Sequence, residues 1–434
     1  MWEKWIIVSL IFFRRELPML TAQIIMTLTV LVMITGIAPL YITAVTGSVL
    51  AALAAGFPLT GAAPEAISKL LISSMHPVII DMLGVLLFIG IMQKCGYMDV
   101  IIWHIMDFGR RYGGAPGIAA AAGLAAALLG ALTSFTQPVI TATIAGPAAV
   151  RLGLSPNKTA GIISMANTVA NACGFTHPTM LAILGVTGVH FGLINVWAFL
   201  GSIWIYVFCY WRARREMIAD GLPIKPEGAE LEALPEGAPS FKKAVFPFLV
   251  LCVLFFAGVP VFLVGMGTGV LITLMNRWNL SQGEKAMISG VAQISIPIVA
   301  IISLMFMSNV IQKIGLVDVL ARYAEPFIVI APVQILFLIS FFAGIVTQSC
   351  AASAAIVLPF TQLVIQMGAD PLAVSFAAIT GCAIMQLFLS GGALTALPVV
   401  AGVIPGTVQK IANRWQRPAM LVGSGVCFLL TFIV

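Results

Sequence analysis

The chain has 434 residues, of which 60% are hydrophobic and only 9% charged, with a mean hydropathy of +1.08. Soluble domains carry about 25% charged residues, so the composition excludes a soluble globular protein and points to lipid. The formal charge of +6 does not point to nucleic acid. The basic residues cluster between apolar runs, as Arg14-Arg15, Arg110-Arg111, Arg212-Ala213-Arg214-Arg215 and Lys242-Lys243, the pattern of cytoplasmic loops. The seven cysteines are odd in number and scattered, which fits small core residues and neither a disulfide framework nor a metal site.

A bilayer span needs about 20 apolar residues. Trp5–Phe13 is apolar, but no small-residue cleavage site follows before Arg14, so it reads as a short or interfacial first helix and not as a removable signal. Spans are expected at Leu20–Ala44, Pro77–Gln93, Thr159–His190, Asn195–Trp211, Met287–Gln312, Pro371–Val403 and Pro418–Val434. Ala244–Met275 reads either as one kinked helix or as two around Pro260 and Gly265. Arg212–Lys243 holds Pro223, Pro226, Pro235 and Pro239 with Glu227, Glu230, Glu232 and Glu236 and cannot span. It is the expected linker, cytoplasmic by its basic flanks, between a first repeat, 1–211, and a second, 244–434.

Duplication is visible in the residues. Gln93-Lys94-Cys95-Gly96-Tyr97-Met98-Asp99-Val100 recurs as Gln312-Lys313-Ile314-Gly315-Leu316-Val317-Asp318-Val319, an offset of 312 − 93 = 219. Leu152-Gly153-Leu154-Ser155-Pro156 is echoed by Met367-Gly368-Ala369-Asp370-Pro371, an offset of 371 − 156 = 215. Each copy carries a pair of short helical arms around a polar break: Gly117–Leu132 and Val139–Val150 around Thr133–Pro138, then Ala331–Ala343 and Ala351–Met367 around Gly344–Cys350. At 1.5 Å per residue each of these arms falls short of a ~30 Å hydrocarbon core, so each pair reads as a re-entrant hairpin. Basic residues bracket the first hairpin and acidic ones the second, which predicts entry from opposite sides and hence inverted repeats.

After each hairpin comes a helix interrupted by helix breakers, Asn167–Thr179 and Gln386–Pro398. Proline removes a backbone hydrogen bond and glycine loosens the turn. Freed backbone groups are not tolerated against lipid, so both breaks are expected to face protein or a wet cavity. Half-helix N-termini there would attract an anion, and unwound carbonyls would hold a sodium ion. The candidate binding residues are Thr133, Ser134, Thr136 and Gln137 at one tip and Thr347, Gln348 and Ser349 at the other. On the broken helices they are Asn167, Asn171, Thr176, His177, Thr179, Ser390 and Thr395. Such residues also serve as ordinary interhelical hydrogen-bond partners. His177 is read as a carboxylate ligand, a coupling-proton carrier or a satisfied interior histidine; Asp81 is read as a proton relay or an interfacial cap. Asp99 and Asp318 follow a glycine at helix ends, where local capping accounts for them. The sequence contains no catalytic triad, phosphate loop or metal cluster, so an enzyme and an ATP-driven pump are not expected.

Gly161-Ile162-Ile163-Ser164 through Gly174-Phe175-Thr176-His177-Pro178-Thr179 resembles the region of the gluconate permease family in which a Gly-Phe pair precedes a His-Pro motif. Ile294–Asp318 and Gly344–Pro359 are similar to that family's second half, and the length, linker and final helix also resemble anaerobic dicarboxylate carriers. Both groups belong to the ion transporter superfamily. The resemblance implies a dimeric scaffold with a mobile, elevator-type transport domain, substrate carboxylates held near Thr176, His177, Thr179 and the two tips, and proton or sodium coupling. This chain departs from the permease pattern in having only Thr176 between Gly-Phe and His-Pro and in lacking an acidic residue at the first tip.

Together these readings predict an all-α polytopic protein of the bacterial inner membrane. It would transport a small organic anion, a sugar acid, hydroxy acid or dicarboxylate, with no cofactor beyond a coupling ion, and it would act as a homodimer. A sodium/proton antiporter would need a buried essential carboxylate, for which Asp81 alone is available. An anion channel would need a continuous polar stripe. A structural assembly factor is the remaining class.

Overall fold

The computed structural model describes residues 2–35, 37–132, 137–224, 234, 236–292, 295–389 and 396–434. Among the described residues there are twenty α-helices and no strand. The first ten are α1 (Trp2–Thr35), α2 (Leu40–Ala54), α3 (Ile67–Ile72), α4 (Val78–Lys94), α5 (Tyr97–Leu132), α6 (Gln137–Arg151), α7 (Pro156–Cys173), α8 (Pro178–Thr187), α9 (Leu193–Ser202) and α10 (Trp204–Ala219). The next ten are α11 (Phe241–Phe256), α12 (Val261–Met275), α13 (Leu280–Val291), α14 (Ser295–Lys313), α15 (Leu316–Ile328), α16 (Pro332–Thr347), α17 (Cys350–Gln366), α18 (Pro371–Met385), α19 (Ala396–Val403) and α20 (Gln409–Leu430). Among the described residues, four stretches are long and apolar enough to cross a membrane: Leu17–Thr35, Tyr97–Leu132, Pro156–Thr187 and Leu193–Ala219. This is an all-α polytopic membrane protein.

The element order repeats. Helices α2 and α12 start 261 − 40 = 221 residues apart, and α7 and α18 371 − 156 = 215. Packing is reciprocal across the halves: α4 lies on α12 and α13, and α14 on α2 and α3; α8 lies on α17 and α18, and α19 on α6 and α7. Contacts exchanged in this way are the mark of a two-fold relation. The broken helices α7 and α18 also touch each other at the centre.

Several boundaries differ from the sequence reading. The expected first span, Leu20–Ala44, is two helices, because Pro39 lacks an N–H and disfavours helix at Ala38; Trp5–Phe13 is the start of the long α1 and not a separate short helix. Ala244–Met275 resolves as two helices meeting at 257–260, and Met287–Gln312 is divided between α13 and α14. The stretch 97–113, not expected as helix, opens α5. Its charges are accommodated because Asp107 pairs with Arg110 at 2.7 Å and Arg111 at 2.6 Å. At Gly114 the backbone turns to φ 60°, ψ −142°, splitting α5 into two helices. The expected linker Arg212–Lys243 is helical up to Ala219, with Arg212 and Glu216 paired at 2.8 Å along α10, and helix resumes at Phe241. The last helix begins at Gln409, well before Pro418.

Candidate functional site

The first break lies between α7 and α8. Ser155 caps α7, its hydroxyl accepting from Lys158 N at 3.4 Å with Pro156 at the first helical position. The helix stops where Gly174 turns extended (φ −82°, ψ 143°), and His177 remains extended ahead of Pro178. Phe175 N donates to Ala131 O of α5 at 2.7 Å, so the hairpin arm takes up one of the freed donors. The carbonyl at the end of α7, Cys173 O, accepts from Asn195 Nδ2 at 2.9 Å, while Asn195 Oδ1 accepts from Gly192 N at 2.9 Å. Asn167, Asn171, Thr176, His177 and Thr179 are all buried. Because α8 packs on α14, α17 and α18, this break lies where the two halves meet.

The second break follows α18. Leu387 O accepts from Asn413 Nδ2 at 3.1 Å, and Asn413 Oδ1 accepts from Arg417 Nε at 3.0 Å. Asn195 and Asn413 are 413 − 195 = 218 residues apart, within the repeat offset, and do the same work at both breaks. A buried carbonyl without a partner costs roughly 1–3 kcal/mol, so each asparagine stabilises an unwound end. Each of these carbonyls keeps one lone pair for a further ligand. Neither asparagine is among the sequence candidates. The signal that marks them is Asn195-Val196-Trp197 repeated as Asn413-Arg414-Trp415.

The second hairpin turns tightly. The expected break Gly344–Cys350 narrows to Gln348 and Ser349, since α16 stays helical to Thr347. Gly344 serves instead as the point where α16 closes on α18, since a Cβ there would come within 2.7 Å of Cys382 O. Gln348 adopts the left-handed conformation (φ 48°), unusual for a residue with a side chain. Thr347 Oγ1 donates to Ala343 O at 2.8 Å and accepts from Ser349 N at 3.4 Å, and Ser349 caps α17 through Ala352 N. Thr133, Ser134, Thr136, Ser390 and Thr395 lie outside the described residues, as does the side chain of Gln137.

Asp81 is not at either break. It sits in the first turn of α4, where its carboxylate meets His190 Nδ1 at 3.5 Å, so the length of α8 separates it from His177. His76, just before α4, is held below the ordinary histidine value by partial burial and by His190, with Asp81 acting in the opposite direction. Beside the first break lies an apolar cavity of about 430 Å³, lined by Ile105, Leu129, Cys173, Phe175, Asn195 and Phe199 among others.

The broken helices, the hairpins and the exchanged packing make up a fold that solved transporter structures share. The YdaH transporter of Alcanivorax borkumensis, described as having an unusual topology, matches with a TM-score of 0.58 at 14% identity over 85% of this chain and 86% of that one. MtrF of Neisseria gonorrhoeae, described as illuminating a class of antimetabolite efflux pumps, matches with a TM-score of 0.61 at 11% identity over 92% of this chain and 96% of that one. Neither is a gluconate permease or a dicarboxylate carrier. No protein-family model and no curated protein matches the sequence.

Proposed function

We propose that the protein is a secondary transporter of a small organic anion, a sugar acid, hydroxy acid or dicarboxylate, coupled to protons or sodium. The observation that carries this reading is the pair of repeat-related helix breaks at the meeting of the two halves, each with its end carbonyl satisfied by an asparagine. Unwound backbone in the interior of a membrane protein, held open by dedicated side chains, is the arrangement that receives ions and anions at transporter midplanes. In this reading Thr176, His177 and Thr179 at the first break and Thr347, Gln348 and Ser349 at the described tip contact the cargo, with His177 or Asp81 carrying the coupling proton. The protein is a homodimer of the bacterial inner membrane, its central linker is cytoplasmic, and the hairpins and broken helices move as an elevator against the remaining helices.

The test is uptake of labelled gluconate, lactate and succinate into proteoliposomes under imposed proton or sodium gradients. Because MtrF is described as an antimetabolite efflux pump, efflux from preloaded vesicles is followed as well. Gradient-dependent movement of one of these acids is expected, and His177→Ala should raise KM about tenfold, the scale of one hydrogen bond to a charged group, or abolish proton dependence. Movement indifferent to both gradients rejects coupling, and an unaltered His177→Ala rejects the role of that residue.

A further inference from the structure

The two breaks are built alike but furnished differently. One turn beyond Asn195 on the first side stands Phe199, which lines the apolar cavity. The corresponding residue beyond Asn413, 417 − 199 = 218 positions on, is Arg417. The fold therefore accommodates an apolar side chain at this place, and the second copy carries a cation instead. Arg417 is half-buried, whereas Lys410 and Arg414 on the same helix are exposed. A charge withdrawn from water in a membrane protein is costly unless it is paired or used.

Its geometry is fixed at three points. Nε donates to Asn413 Oδ1 at 3.0 Å, Asn413 in turn holds Leu387 O, and the guanidinium carbon lies 5.4 Å from the ring centroid of Phe388. Of the other half-buried cations, Arg110, Lys158 and Arg212 pair with a carboxylate of the chain itself, while Lys243 at the start of α11 is met by Asn276 Oδ1 and the Tyr97 ring. Among the described residues Arg417 has no carboxylate within ion-pair distance. With Nε and one ring face engaged, the two terminal nitrogens present a planar fork suited to a carboxylate.

We infer that Arg417 is the fixed cation that receives the carboxylate of the cargo at the second break, oriented by Asn413 and Phe388. The inference rests on the transport reading and sharpens it, since it supplies a charged partner at a site the sequence suggested was neutral.

The experiment compares wild type with Arg417→Gln and Arg417→Lys in the same proteoliposomes, using labelled gluconate, lactate and succinate. It also measures labelling of Arg417 in the wild-type protein by phenylglyoxal, with and without saturating acid. Arg417→Gln should raise KM at least about tenfold, the scale of a lost charge-assisted hydrogen bond, and Arg417→Lys, with the charge but no fork, should fall between. The transported acid should protect Arg417 from the reagent. Transport by the wild type with an unchanged KM in Arg417→Gln overturns the inference and leaves the transport reading intact; absence of all carboxylate movement in the wild type overturns both. If Arg417→Gln does not fold, protection decides, and labelling that is indifferent to the acid rejects the assignment.

Discussion

Helix α4 lies against α12 and α13 backbone to backbone, whereas its counterpart α14 packs on α2 and is joined to the end of α3 through amide and hydroxyl groups. A side chain at Gly84 would strike Phe262 Cα and lie 2.6 Å from Val261 O, and one at Gly90 would lie 2.5 Å from Gly290 N and 2.6 Å from Ala286 O. At the matching positions, 303 − 84 = 219 and 309 − 90 = 219 residues on, stand Ser303 and Asn309. Asn309 Nδ2 lies 3.1 Å from Leu70 O, Ser73 Oγ and Ser74 Oγ. Lipid tails provide no hydrophobic drive for helices to associate, so close packing and interhelical hydrogen bonds must do it, and the two copies have diverged onto one each. Glycine contacts tolerate no displacement, while polar contacts can exchange partners. Both helices touch α8, but only on the polar side does the helix also pack on α17, next to the broken-helix region.

The largest effect is expected on the glycine side. Gly90→Val places a branched side chain against the backbone of α13, which cannot retreat as a flexible side chain would. Overpacking of this kind costs about 1–3 kcal/mol and sometimes more. The variant should lower the thermal unfolding midpoint in detergent clearly and reduce the yield of folded protein. A midpoint equal to wild type would mean that α4 and α13 are not in backbone contact and would remove the contrast.

The duplication behind this comparison was readable because helix-end motifs such as Gln93–Val100 and Gln312–Val319 survive in both copies. The breaks were readable because glycine and proline act locally. What escaped depends on partners remote in sequence. The opening of α5 was hidden from a hydropathy window because Asp107 meets Arg110 and Arg111 only once the helix has formed. The start of α2 was merged into the expected span Leu20–Ala44 because Pro39, and not a change in polarity, divides it from α1. Asn195 and Asn413 looked like ordinary polar residues, since what matters about them is the carbonyl each reaches, 22 and 26 residues away.

On the polar side the expected change is smaller. Asn309→Leu removes the donor that joins α14 to the end of α3, but Ser73 and Ser74 keep their own bonds to Leu70 O, so no acceptor is left bare. Interhelical hydrogen bonds measured in lipid average about 0.6 kcal/mol and reach about 1.7, which sets the expected loss of stability. A loss as large as that of Gly90→Val would show that α14 is fixed as tightly as α4.

The smallest effect belongs to Ser303. Its hydroxyl donates to Val299 O of its own helix at 2.6 Å, a bond that tends to bend a helix slightly and adds little to its stability. It stands where α4 has Gly84, so its presence shows only that α14 leaves room for a side chain. Ser303→Ala keeps the Cβ and removes a bond confined to one helix. The midpoint should move by less than the roughly 0.6 kcal/mol of an average interhelical bond. A larger drop would mean that this hydroxyl reaches across to a neighbouring helix, making α14 polar-linked at two levels along its length and widening its difference from α4.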